Sequence, residues 1–252
     1  MNNQIQHNIL KTNKIGNLTL HEIDRLDKKI IFSNNTNGSD GYHHYTSKWW
    51  HNLNCPYAYK YLHLDSLYPS HYFRPEIGHP NEVMCEQIYL YMQEIYRAVF
   101  NKNFYSIFEI GCGAGEITSQ FKTHELDYMC VEGTDAGVSK LINIGIDANR
   151  IVKSDLRLFK GIEKKFDLVM CTEVAEHLEP SFSSKIVELC IQHSDVVWFS
   201  AAEPNAGTPH YHHPNEIPIE AWDNLFAFFG YNKFIALNNI HGRAKRLYLK
   251  GD

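Results

Sequence analysis

The residues with the clearest chemical spacing are Phe108-Glu109-Ile110-Gly111-Cys112-Gly113-Ala114-Gly115-Glu116, where an apolar run of strand length enters a glycine turn that opens a helical stretch. Glycine permits tight curvature and close approach of a ligand, and a helix start offers unpaired N–H groups. The pattern is GxGxG with an acid two residues before the first glycine, which differs from the GxGxxG dinucleotide fingerprint. Rossmann-like sites place an acid about 20 residues on, at the end of the second strand, to hold a ribose hydroxyl pair. Glu132 stands 132 − 111 = 21 positions after Gly111, at the end of YMCVE, and Asp135 is its competitor. The alternative is that either acid merely caps the next helix. After the third strand-like run, Lys153-Ser154-Asp155-Leu156 puts an acid where an adenine amino group would be met, or where an ordinary N-cap would sit.

Two further stretches carry ionisable groups. In Cys171-Thr172-Glu173-Val174-Ala175-Glu176-His177-Leu178, a helix would set Glu173, Glu176 and His177 at i, i+3 and i+4 on one face. Two carboxylates and an imidazole so placed can bind a divalent cation or act as a base, and equally can just line a pocket. Gly207-Thr208-Pro209-His210-Tyr211-His212-His213-Pro214-Asn215-Glu216 follows the strand-like DVVWFSAA. Such a loop leaves the carboxyl end of a strand, where ligands bind in open α/β sheets. His213 is a candidate fourth ligand or a base, since imidazole titrates near neutrality, against the reading of solvated loop histidines. Residues 42–80 are dense in aromatics and histidines, with His71, Arg74 and His79 among them. Stacking faces and a fixed cation would suit a sugar, aromatic or phosphorylated acceptor, unless the rings serve only to pack.

The elements that must position these groups can be read from periodicity. From Phe104 onward strand-length apolar runs alternate with helical stretches, which predicts a parallel sheet covered on both faces. FIALNNI and KRLYLKG are separated by only HGRA, so the sheet should end in an antiparallel hairpin. Val83, Ile88, Met92, Ile95 and Val99 recur at helical spacing between Asn81 and Phe100. Residues 1 to about 40 are polar and Asn-rich and end in Ser33-Asn34-Asn35-Thr36-Asn37-Gly38-Ser39, which reads as a loop. The expected division is an N-terminal extension and substrate cap, 1–100, followed by a ligand-binding domain, 101–252.

Composition narrows the function. The 252 residues carry 24 Lys and Arg against 29 Asp and Glu, a formal charge of −5. No basic field is therefore available to neutralise many phosphates, which argues against nucleic acid as a partner. No stretch approaches the ~18 apolar residues of a spanning helix, and the opening residues lack a signal-peptide core, so a cytoplasmic protein without a membrane partner is expected. The six cysteines form no CxxC pair. Cys130 and Cys171 lie in strand-like runs, where Cys acts as a small buried hydrophobe.

Together EIGCGAGEI, the acid after strand two, SDL and FDLVMCTEVAEHLEP resemble a class I S-adenosylmethionine-dependent methyltransferase over about residues 104–250. The resemblance implies a doubly wound, Rossmann-like α/β fold with a seven-stranded, mostly parallel sheet whose last strand is antiparallel. It implies cofactor contacts from Glu109, Gly111, Cys112, Gly113, Gly115, Asp155, Leu156, Thr172 and Glu173, with the ribose held by Glu132 or Asp135. The ExxEH stretch is similar to that of ubiquinone-type O-methyltransferases and of small-RNA 2′-O-methyltransferases, in the latter as a metal site. The implied metal set is Glu173, Glu176, His177 and His213, and the metal-free alternative makes His177 or His213 the catalytic base. His213-Pro214-Asn215-Glu216-Ile217-Pro218 followed by Trp222 resembles a loop of sugar- and small-molecule-modifying methyltransferases. The activity so implied is O-methylation of a small molecule or glycan precursor. The alternatives are RNA 2′-O-methylation and a non-catalytic cofactor-binding homologue.

Overall fold

The structure is a computed structural model that describes residues 9–24, 81–204, 213, 215–237 and 245–252. The aromatic segment 42–80, His210 and His212 lie outside the described residues. Among the described residues nine strands hydrogen-bond in the order β1-β2-β8-β9-β7-β6-β3-β4-β5. The described residues fall into two compact units, one holding 81–170 with 192–194, the other 9–24, 171–191 and the described part of 195–252.

The first unit opens with helix α1 (Glu82–Phe100), capped by Asn81, whose side chain accepts the Met84 N–H at 3.0 Å. The helix has the predicted bounds, but its buried stripe is Cys85, Ile88, Tyr89, Met92, Ile95 and Tyr96, while Val83 is exposed. Strand β3 (Ser106–Ile110) pairs in parallel with β4 (Asp127–Glu132), and β4 with β5 (Ile151–Lys153). The first residues of β6 (Leu168–Thr172) pair in parallel with β3 on its other side. Phe108 in β3 is fully buried against Phe166 and the His193 ring. Burying one such ring stabilises by about 2–3 kcal/mol, so β3 is a firm base for the turn that follows it. Helices α2 (Thr118–Thr123) and α3 (Asp135–Asn143) follow β3 and β4.

In the second unit β7 (Val196–Ser200) pairs antiparallel with β9 (Lys245–Leu249), and β8 (Lys233–Leu237) also pairs antiparallel with β9, as the short connection predicts. Helices α4 (Ser183–His193, at the boundary of the units) and α5 (Ile219–Phe228) complete the set. Trp222, Phe226, Phe199 and Tyr248 form the aromatic core of this unit.

The expected seven strands are corrected to nine. β1 (Ile9–Ile15) and β2 (Leu18–Ile23) form a hairpin about Gly16, and β2 pairs antiparallel with β8. β1 is exposed at every residue but its last, so it lacks the alternation that marks a half-buried strand. The five described cysteines, Cys85, Cys112, Cys130, Cys171 and Cys190, are all buried. Among the described residues no helix is long and apolar enough to cross a membrane.

Candidate active site

The glycine turn is built where β3 ends. Gly111, Gly113 and Gly115 all take positive φ (73°, 57° and 82°), conformations that side chains disfavour. The Gly111 and Cys112 N–H groups both donate to the Val131 carbonyl, at 3.0 and 3.1 Å, which fastens the turn to the end of β4. A Cβ on Gly115 would stand 2.4 Å from Leu141 Cδ2, so this glycine is demanded by packing against α3. A Cβ on Gly113 would meet nothing within 4 Å, so the backbone there borders open space.

Glu132 closes β4 beside that turn and is buried. Its Oε2 accepts the Gly113 N–H at 3.1 Å, and its Oε1 accepts the Thr134 N–H at 2.9 Å and the Thr134 hydroxyl at 2.7 Å. Burial raises its pKa, opposed by bonds from the Thr134 side chain and the Thr134, Gly113 and Gly133 amides. Thr134, not Asp135, caps α3 by accepting the Gly137 N–H, and Asp135 is exposed and ion-paired with Lys153. Of the two acids, the structure places Glu132 against the glycine turn.

Glu109 lies in β3, fully buried, and accepts the Thr118 hydroxyl. Desolvation pushes its carboxyl up to about 8, helped by the charges of Glu116 and Glu132 and opposed by the Thr118 bond. The Cys112 thiol is raised well above its ordinary range, first by burial and then by Cys130 beside it. Asp155 is occupied locally: it accepts the Arg157 N–H at 2.9 Å and holds the Arg157 guanidinium through both oxygens. This is a turn contact, since no helix lies between β5 and β6 for Asp155 to cap, and Leu156 after it is half-buried.

Beyond β6 the expected helical face is corrected. Thr172 ends the strand half-buried, and Glu173 turns the chain with φ 57° instead of starting a helix. The Glu173 N–H donates to the Ser200 carbonyl at 3.0 Å, and its Oε1 accepts the Ser200 hydroxyl at 2.7 Å. Only Ala175–His177 forms a 3-10 turn. Glu173 therefore drops out of the set that Glu176 and His177 form with His213, whose ligand atoms all lie within 4.8 Å of one another. The His177 and His213 rings meet edge to face, 4.6 Å between centroids.

Two residues of this cluster carried no assigned role in the sequence. Glu216 sits three residues after His213 and places Oε1 2.9 Å from its Nδ1. Asn215, fully buried, donates its backbone N–H to the Glu176 carbonyl and its side-chain amide to the Ala175 carbonyl and Ser183 hydroxyl. The H-P-N-E spacing was visible; the partner of the asparagine, 40 residues earlier, was not.

Residues 108–190 match the family model of a methyltransferase domain. This chain carries a methyltransferase domain. Its fold is shared with the sugar N-methyltransferase KedS8 from Streptoalloteichus sp ATCC 53650, at TM-score 0.54 and 13% identity over 65% of this chain and 86% of that one. It is likewise shared with the plantazolicin methyltransferase BpumL, solved with a substrate analogue and SAH, at TM-score 0.51 and 12% identity over 84% of this chain and 97% of that one. No curated protein matches the sequence. The matched span of the methyltransferase domain runs from Phe108 in β3 into α4 and so contains the glycine turn, Glu132 and the Glu176–His177 turn.

Proposed function

We propose that this methyltransferase domain transfers the methyl group of S-adenosylmethionine to a hydroxyl of a small-molecule or glycan-precursor acceptor. The observation that carries the cofactor half is the buried Glu132 carboxylate held against Gly113 at the edge of open backbone. A carboxylate and turn amides at the end of a strand suit a ribose and a polar ligand tail. KedS8 is named a sugar N-methyltransferase and BpumL the plantazolicin methyltransferase, the latter solved with SAH. Both support the cofactor and the small acceptor. The net charge of −5 leaves ribose methylation of RNA without an electrostatic footprint.

When bound, the cofactor supplies a methyl group already activated by its sulfonium. The chain's residues then have two tasks, holding the reactants in line and disposing of the acceptor proton. Glu132 is assigned to the ribose. Glu109, buried and largely protonated near neutrality, is assigned to the cationic methionine end, where a positive neighbour would draw its proton off. Removal of the acceptor proton is assigned to the Glu176–His177–His213 cluster, with Glu216 steadying His213.

A mass-shift screen with methyl-labelled S-adenosylmethionine against sugar, phenol and amine acceptors tests the reading. Label appearing on a hydroxyl supports it. Label appearing only on amines replaces oxygen by nitrogen, and turnover of RNA alone overturns the small acceptor.

A further inference from the structure

We infer that Gly137 is a positioning residue of the cofactor site, its missing side chain being what allows Glu132 to present its carboxylate to a ribose. The inference rests on the proposed S-adenosylmethionine reading and adds to it a residue that acts through another. Gly137 lies inside α3 and is buried. Unlike the glycines of the turn it has no positive φ, so its backbone does not require glycine. Glycine inside a helix costs stability relative to alanine, so its presence there calls for a steric reason. A Cβ built on Gly137 would stand 2.7 Å from Glu132 Cγ, 2.8 Å from Glu132 Cδ and 2.8 Å from Thr134 Oγ1. Carbon atoms in contact stand about 3.5–4.0 Å apart, so a methyl group there and Glu132 in its present place exclude each other.

Glu132 cannot yield without giving up its bonds. Its Oε2 accepts the Gly113 N–H at 3.1 Å, and its Oε1 accepts the Thr134 N–H and hydroxyl at 2.9 and 2.7 Å. The Thr134 hydroxyl in turn accepts the Gly137 N–H at 2.9 Å and so caps α3. One hydroxyl thus ties the ribose acid to the start of the helix, and the Cβ position lies against both of them. The atoms in the way are the glutamate stem and its carboxyl carbon, so the side chain must swing off the first turn of α3 to admit a methyl group. That swing takes the carboxylate away from Gly113, whose backbone borders open space. Bonds from a hydroxyl to a carboxylate span only about 2.5–2.7 Å, so moving the acceptor by about 1 Å breaks them. Glycine at 137 therefore serves the ribose acid and not the helix that contains it. A purely structural role would weaken every ligand of the site alike, whereas a role through Glu132 weakens those that carry the ribose hydroxyls.

The test measures, by calorimetry on the full chain, the affinities for SAH and for its 2′-deoxyribose analogue. Wild type should prefer SAH by about 10–100-fold, the worth of a hydrogen bond to a charged acceptor. Gly137→Ala should bring that preference close to unity. Adding Gly137→Ala to Glu132→Ala should change it no further, since the two residues act through one carboxylate. Glu132→Asp, with a shorter arm and Gly137 intact, should also lower the preference. Both ligands are titrated into the same sample, so unfolded chains reduce the number of sites and leave the ratio as it is. A Gly137→Ala variant that weakens both ligands equally and keeps the preference would overturn the inference and leave the cofactor reading standing. An unchanged preference in Glu132→Asp would do the same without any change at Gly137. Wild type that binds neither SAH nor S-adenosylmethionine would overturn the cofactor reading and the inference with it.

Discussion

Glu109 makes a prediction that can be worked through before any acceptor is known. Its carboxyl is fully buried and pushed from an ordinary 4.5 up to about 8, chiefly by desolvation. Between those values the unfolded chain has released the proton and the native chain still holds it. The contribution is therefore complete below about pH 4.5 and is lost as pH rises towards about 8. The slope approaches 1.36 kcal/mol per pH unit, so moving from pH 5.5 to 7.5 should cost about 2.7 kcal/mol from this group alone. Glu109→Gln removes the titration while keeping an oxygen to accept the Thr118 hydroxyl. Other groups titrate in both proteins and cancel in the difference. Calorimetric melting at the two pH values should thus show wild type losing roughly 5–10 °C relative to the variant. A wild-type-to-variant difference that is the same at both pH values would refute the reasoning, because Glu109 would then be ionised throughout.

Other perturbations separate stability from ligand binding. Gly115→Ala should destabilise the fold by about 2 kcal/mol or more, since a strained φ alone costs roughly 1–2 kcal/mol and the Cβ meets buried Leu141, as thermal melting would show. Gly113→Ala should cost only the strain, about 1–2 kcal/mol, yet weaken S-adenosylmethionine more than it weakens the fold. Asn215→Ala should lower the unfolding free energy by about 1–3 kcal/mol in denaturant unfolding, by leaving buried groups unpaired. Asp223→Ala should cost about 3–5 kcal/mol in denaturant unfolding, because it strands Arg246 and the Tyr248 hydroxyl in the core of its unit.

The parts of the fold that were legible in the sequence are those governed by local chemistry. Apolar spacing between Asn81 and Phe100 marked α1, and the glycine turn marked the end of β3, because a helical period and a positive φ are each set by local residue type. The β1–β2 hairpin escaped notice because the edge strand β1 is largely exposed and β2 beside it is half-buried almost throughout, so neither carries a clean period of two. Glu173 was misplaced for a different reason. TEVAEH has helix-forming residues, but the Ser200 carbonyl and hydroxyl capture Glu173 and hold it in the left-handed region. Tertiary bonding there outweighs a propensity of a few tenths of a kcal/mol per residue. Spacing favoured Glu132 over Asp135, but it did not reveal the bond from Gly113, 19 residues away in the chain, that sets Glu132 against the glycine turn. The pairing of His177 with His213 was available only as chemistry; Asn215 supplies the geometry.

The most direct test of the central claim is calorimetric titration of the purified chain with S-adenosylmethionine, SAH and NAD, repeated on Glu132→Ala and Asp135→Ala. The account predicts binding of both sulfur ligands and none of NAD. Glu132→Ala should weaken that binding by about 1–3 kcal/mol through loss of hydrogen bonds to the ribose, and exposed Asp135→Ala should leave it unchanged. Binding of NAD with neither sulfur ligand would contradict the cofactor, and weakening by Asp135→Ala but not by Glu132→Ala would contradict the site.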